Sequence, residues 1–189
     1  MRKRVVGALI LLVLGELSLE AYGKKEWYIG ADFSVGRTQT TFVVDDSSIV
    51  EKPRTQMGMI KVGAQLPRHL RVQAILRDEK IFWKRTEKIY TLGVEMLKSL
   101  QLSKAAEIFL KVGVGAEHTK LHGDFETTST FGISATAGVG VMIRMSEHIE
   151  MDLGLDIEKR SFGSVDSGET TVDLSDRLFR EYVGFNYRF

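Results

Sequence analysis

The chain has no cysteine in its 189 residues. That excludes a disulfide framework, a thiolate metal site and a thiol nucleophile. It has only two prolines, Pro53 and Pro67. It also lacks an excess of either charge: 26 basic side chains face 25 acidic ones, for a formal net charge of +1. Nothing in that balance points to nucleic acid or to a polyanionic partner. Past the amino terminus no run approaches the ~20 apolar residues of a membrane-spanning helix. The mean hydropathy of −0.06 is nonetheless compatible with a membrane protein. Strands that alternate apolar and polar residues average out on any hydropathy scale.

The one apolar run is short and lies at the start. Arg2, Lys3 and Arg4 precede the apolar stretch from Val5 to Leu14. A basic n-region and an h-region too short to span a bilayer are the layout of a secretory signal. Ala21 and Gly23 suit cleavage before Lys24, with cleavage after Ala21 as the other candidate. Residues 1–23 are therefore read as a signal peptide and 24–189 as one domain of about 165 residues.

What the domain does have is alternation, the mark of strands. Trp27, Ile29, Ala31, Phe33 and Val35 alternate with Tyr28, Gly30, Asp32, Ser34 and Gly36. The apolar phase then shifts to Phe42 and Val44, which suggests a bulge or emergence into water. Further strands are read around Ile60–Leu66, Leu70–Leu76, Tyr90–Met96, Ile108–Ala116, Phe131–Met145 and Ile149–Ile157, with the last ending at Phe189. Residues 92–110 are rich in Leu, Lys, Glu and Ala, and propensity favours a helix there. The alternation resuming at Ile108 favours a hairpin with its turn near Gln101 to Lys104. Eight strands result. Short turns fall at Pro67–His69, near Leu102 and at Ser146–His148. Long polar loops are expected at Asp45–Thr55, Arg77–Lys88, His118–Thr130 and Arg160–Asp176.

The end of the chain carries the most specific signal. Val183, Phe185, Tyr187 and Phe189 share one face, and Tyr182, Gly184, Asn186 and Arg188 the other. Aromatic residues up to the carboxyl terminus suit a strand whose apolar face meets lipid. Gly184, Tyr187 and Phe189 stand where the carboxy-terminal assembly signal of outer-membrane β-barrels has its glycine and two aromatics. With the signal segment and the strand count, the chain resembles the small bacterial outer-membrane β-barrel family of the OmpA transmembrane domain, OmpX and the opacity proteins. That resemblance implies an all-β fold: an eight-stranded antiparallel up-and-down transmembrane barrel, monomeric, with both termini periplasmic. It also implies outer-membrane lipid, lipopolysaccharide and the outer-membrane assembly machinery as partners. The rival fold is a secreted lipocalin-type barrel, with apolar faces inward and charges outward.

The polar face supplies Asp32, Lys61, Arg71, Glu95, Lys111, Glu117, Arg144, Glu150, Asp152 and Asp156. Charges of both signs in a narrow lumen are expected to pair, since unpaired burial is costly. The alternative is an ion- or solute-conducting path. Asp152 and Asp156 lie about 13 Å apart on one strand face, too far to share a metal. His69, His118, His122 and His148 fall in or beside turns and loops. No metal site, cofactor or catalytic set is assigned. Outer-membrane lipid A deacylases pair a His with a nearby Ser, and no His-x-Ser occurs here; His118–Thr119 does not reproduce it. The expectation is a non-enzymatic structural or surface-interaction barrel, adhesin-like, whose external loops reach a ligand through Phe82, Trp83, Phe125 and Phe162. The competing role for those aromatics is anchoring in the interfacial girdle.

Overall fold

The period of two in the sequence is the period of the fold. The computed structural model describes residues 26–44, 47–82, 86–121, 128–163, 165–167 and 170–189. Every regular element among them is a strand: β1 (Glu26–Val44), β2 (Ser47–Glu51), β3 (Arg54–Leu66), β4 (Leu70–Phe82), β5 (Thr86–Gln101), β6 (Ala106–Leu121), β7 (Thr128–Arg144), β8 (Ile149–Phe162), β9 (Val165–Ser167) and β10 (Thr170–Arg188). Residues 1–23, where the signal peptide is expected, lie outside the described residues.

Antiparallel pairing runs from β1 through β3, β4, β5, β6, β7 and β8 to β10, and β10 pairs back onto β1. The ring of eight strands is closed, so it presents no unpaired edge to lipid. β2 and β9 are additions. β2 pairs with residues 40–44 of β1, and β9 with residues 170–172 of β10. Both sit at the loop end of the ring. The opposite end holds the turns at 67–69, 102–105 and 146–148. The chain also finishes at this turn end, where the Phe189 amide donates to the Trp27 carbonyl at 3.0 Å.

Orientation separates the two rival barrels. Phe33, Val35, Ile60, Leu92, Leu110, Ile133 and Ile157 are exposed on the outer wall, whereas Asp32, Lys61, Glu95, Lys111 and Asp156 are buried inside. An apolar exterior around a charged interior is the reverse of a lipocalin and suits lipid. Small apolar clusters remain inside: Leu97, Phe109, Met142 and Tyr182 form one, and Met57, Met59 and Ile75 another.

The strands are longer than the hydrophobic pattern suggests. Residues 92–110 form the expected hairpin, with bends at 102–105. The expected loops are mostly strand: β4 continues through Phe82, β6 through Leu121, β8 through Phe162, and β10 starts at Thr170. β1 has no bulge. Its register with β10 is unbroken from Tyr28↔Arg188 to Val44↔Val172. The outward face of β1 turns polar at Arg37 and Gln39 while Thr38 and Thr40 stay buried, so the apparent phase shift marks the strand leaving lipid. Pro53 breaks the run between β2 and β3, and its carbonyl accepts the Thr38 amide at 3.1 Å.

Candidate functional site

Inward side chains at alternate positions of every long strand meet in the lumen, and most are polar or charged. At the turn end Arg71 grips Glu150 with both terminal guanidinium nitrogens, at 2.7 and 3.1 Å. Arg188 donates to the same carboxylate at 3.0 Å and pairs with Glu26. The Arg71 guanidinium lies 5.4 Å from the centre of the Tyr28 ring, whose hydroxyl donates to Gln73 at 2.8 Å. One layer further in, Lys61 bridges Asp32 at 2.6 Å and Asp152 at 2.7 Å. Asn186 donates to Asp152 at 2.8 Å.

The middle of the barrel is built on Asp156 and Glu158. Lys111 donates to Asp156 at 2.9 Å while standing 4.3 Å from the centre of the Tyr182 ring. Arg180 reaches Asp156 at 3.2 Å and Glu158 at 2.8 Å. Arg77 donates to Glu158 at 2.5 Å, and Thr136 at 2.8 Å. Toward the loop end Arg160 donates to Glu158 at 2.6 Å and pairs with Glu79. Glu117 lies 3.9 Å from the Arg160 guanidinium and accepts from Thr91 at 2.6 Å.

These ions are taken out of water, so each needs its partners. The pairs cross the lumen between β3, β4, β6, β8 and β10 and tie opposite walls together. Glycines make room for them. A Cβ at Gly184 would collide with the Asp32 carboxylate, and one at Gly154 would come within 2.6 Å of the Tyr182 ring. A void beside Glu107, Met142 and Glu150 measures about 10 Å³, at the lower limit for one water. Among the described residues no three His, Cys, Asp or Glu side chains group so as to hold a metal ion.

The lumen contains Asp32, Lys61, Arg71, Glu95, Lys111, Glu117, Asp152 and Asp156, as the alternation indicates. Arg144 does not belong with them. It is the last residue of β7, its side chain is 40% exposed, and its nearest carboxylate, Glu150, stands 3.9 Å away. Arg77, Glu79, Glu107, Glu158, Arg160, Asp176 and Arg180 are buried ions that the sequence reading leaves out of its lumen charge network. Residues 77–79 and 160 fell in expected loops. Their signal was there in inward parity, continued from Ile75 and from Asp156.

The expected loop aromatics are not alike. Phe82 ends β4 and is 42% exposed on the outer wall. Phe162 is not an external contact: it ends β8 facing inward and is 7% exposed. Trp83 and Phe125 lie outside the described residues, as does His122. His69 and His148 do occupy turns. His69 has φ 58°, beside Arg68 at φ 60°. His148 stacks on Tyr187 with ring centres 5.7 Å apart. His118 is within β6 rather than in a loop, and packs on Phe131 with centres 4.8 Å apart. At the carboxyl terminus Gly184 faces inward. Tyr187 and Phe189 face outward, 51% and 68% exposed, with rings 6.4 Å apart.

The fold has known counterparts. The chain is similar to the crystal structure of Neisserial surface protein A, with a TM-score of 0.61 and 13% identity over 86% of this chain and 97% of that one. It is also similar to the solid-state NMR structure of the outer membrane protein AlkL in DMPC bilayers, with a TM-score of 0.57 and 10% identity over 89% of this chain and 92% of that one. At such identities the likeness concerns the fold alone. No curated protein matches by sequence. The family model described as outer membrane protein beta-barrel domain matches residues 7–189. The chain therefore belongs to the outer membrane protein β-barrel family.

Proposed function

We propose that this outer-membrane barrel is a non-enzymatic, side-chain-filled scaffold of surface-interaction type. The observation that carries this reading is the packed lumen. Arg71, Arg77, Arg160 and Arg180 are each at most 2% exposed and held by facing carboxylates. A plugged interior leaves recognition to the outside. Supporting this, β1 and β10 stay paired to Val44↔Val172, past Val35, the last apolar outward side chain before Arg37. That is about 30 Å of strand beyond Val35. There β2, β1, β10 and β9 make a four-stranded sheet with Val43, Ile49 and Val50 exposed.

In this reading the barrel is a monomer, the turn end and both termini are periplasmic, and the sheet at the loop end is external. Phe189 is read by the outer-membrane assembly machinery. The test is retention of whole cells on immobilised matrix and host-cell proteins. The wild type is compared with a variant whose residues 45–52 and 163–169 are replaced by Gly-Ser chain of equal length. The variant is expected to assemble and lose retention. Equal retention would remove the adhesin-like role.

A further inference from the structure

The buried charges of the lumen do not balance. Among the described residues ten carboxylates are buried against six lysine and arginine side chains. The excess is uneven along the axis. In the middle, Glu95, Asp156 and Glu158 face Arg77, Lys111 and Arg180. At the turn end Glu150 has both Arg71 and Arg188. Toward the loop end Arg160 stands alone among Glu79, Glu117 and Asp176, and it serves Glu158 as well.

Asp176 is the carboxylate left over. It is 2% exposed. It lies past Phe179, the last apolar outward side chain of β10, and so beyond the lipid belt. It is opposite Arg160 in the β8–β10 ladder and opposite Thr40 in the β1–β10 ladder. Among the described residues it has no ion pair, because the guanidinium beside it is drawn to Glu79 and Glu158. One oxygen each of Asp176, Glu79 and Glu117 is buried without a hydrogen-bond donor. The charged side chains facing this level are Arg160 and Glu158 from β8, Glu79 and Arg77 from β4, Glu117 from β6, Arg180 from β10 itself and, at the mouth, Glu51 from β2. β3, β5 and β7 bring Thr55, Thr91 and Thr130. Burial pushes the Asp176 carboxyl up to about 6. Arg160 and Thr40 hold it down, and Glu79 and Glu117 add to the rise. Three carboxylates enclosed with one shared guanidinium need a further positive charge. No three of the described acids converge as metal ligands, and a proton needs no such set.

We infer that Asp176 is a proton-operated latch at the base of the loop-end sheet. Its rung is the one where β2 joins β1, since Thr40 pairs with Glu51 as well as with Asp176. Ionised, Asp176 adds a third carboxylate beside one guanidinium and loosens that rung. Protonated, it removes the repulsion and the sheet is held firmly on the barrel. The folded barrel keeps this proton to higher pH than the unfolded chain does. The stability it confers is therefore present in mild acid and lost as pH rises through about 6, the reverse of ordinary acid unfolding. The use of the latch in recognition rests on the proposed function. Its titration needs neither cells nor ligand, so the two fail separately.

Purified barrel in lipid vesicles is taken from pH 7.5 to pH 5 beside the D176N variant. Infrared difference spectra should show a protonated carboxyl band growing in with a midpoint near 6 in the wild type and missing from D176N. Over the same range the folding constant of the wild type, read from urea unfolding, should rise about tenfold relative to D176N. Amide exchange at residues 40–44 and 172–176, referenced to D176N at each pH, should slow in acid. A wild type with no carboxyl band appearing between these pH values would overturn the inference, and that reading needs no variant to fold. So would a band of equal size in D176N. A titrating band with exchange in both segments unchanged relative to D176N would overturn the latch.

Discussion

Arg160 shows what a single residue does in this lumen. It is wholly buried, with Glu79, Glu158 and Glu117 around its guanidinium. The Coulomb gain offsets desolvation only while these partners are present. Removing one member of a buried pair costs about 3–5 kcal/mol. Arg160→Met is expected to lower the unfolding free energy of the barrel, read from urea unfolding in lipid vesicles, by an amount of that order. Adding Glu79→Gln should restore part of it, because one of the stranded carboxylates is then neutral. If the double variant is less stable than the single one, the two residues do not act as a pair.

Phe189 calls for the opposite argument. Its side chain lies on the outer wall, where burial against lipid is worth roughly 1.5–3 kcal/mol, a loss a closed barrel withstands. Deleting it should nevertheless sharply reduce outer-membrane assembly in cells, if the assembly machinery reads it. Refolding in detergent should persist. The control must be an aromatic that is truly on the outer wall. Phe82→Ala serves, whereas Phe162→Ala would open a hole inside. Equal assembly of deletion and wild type would reduce Phe189 to a packing residue.

At the scale of elements, legibility followed the lipid. Where one face meets acyl chain and the other the lumen, as in Phe131–Met145 or Ile149–Ile157, alternation is plain and the strands were readable. Beyond the lipid both faces are polar. On β4, Asp78 and Lys80 point out while Arg77 and Glu79 point in. The strand continues there, but hydropathy no longer reports it. Glu79 and Arg160 toward the loop end, and Arg180 in the middle of the lumen, lie on stretches where hydropathy gives no signal. The backbone period of two still gives one. Arg144 fails the other way: its parity is even on a strand whose even residues face in, but it lies at the mouth, where water replaces a partner.

The missing cysteines make the topology testable without background. Ser48 in β2 is exposed at the loop end, and Ser103 at the turn end. A membrane-impermeant maleimide should label Ser48→Cys in intact cells and Ser103→Cys only after lysis. The reverse pattern would place the turn end outside the cell.

The whole molecule is a closed wall around a salt network, and that makes a statement about transport. A path along the axis must pass the Lys61 layer, then Asp156 with Lys111 and Arg180, then Arg160 with Glu79. Each layer is bridged wall to wall, and a hydrated ion would have to break one bridge after another. The wild type in planar bilayers should therefore show at most brief, small current steps. Shortening the blocking side chains should change this. Arg77→Ala with Arg180→Ala removes two of the buried guanidinium groups that cross the middle of the barrel and leaves Asp156, with Lys111 as its remaining cation, and Glu158, with Arg160, beside the space. Water fills a polar void of that size, and the exposed carboxylates should make it cation-selective. The double variant should still migrate faster unboiled than boiled, because the ladder of backbone hydrogen bonds closing β1 on β10 is untouched. The Lys61 and Arg160 layers still bar the axis, so longer but still interrupted cation-selective steps from such a folded variant, with a quieter wild type, are the expected outcome. Large steady steps from the wild type would mean that the salt network yields in a bilayer, and would favour conduction over surface interaction as the role of the barrel.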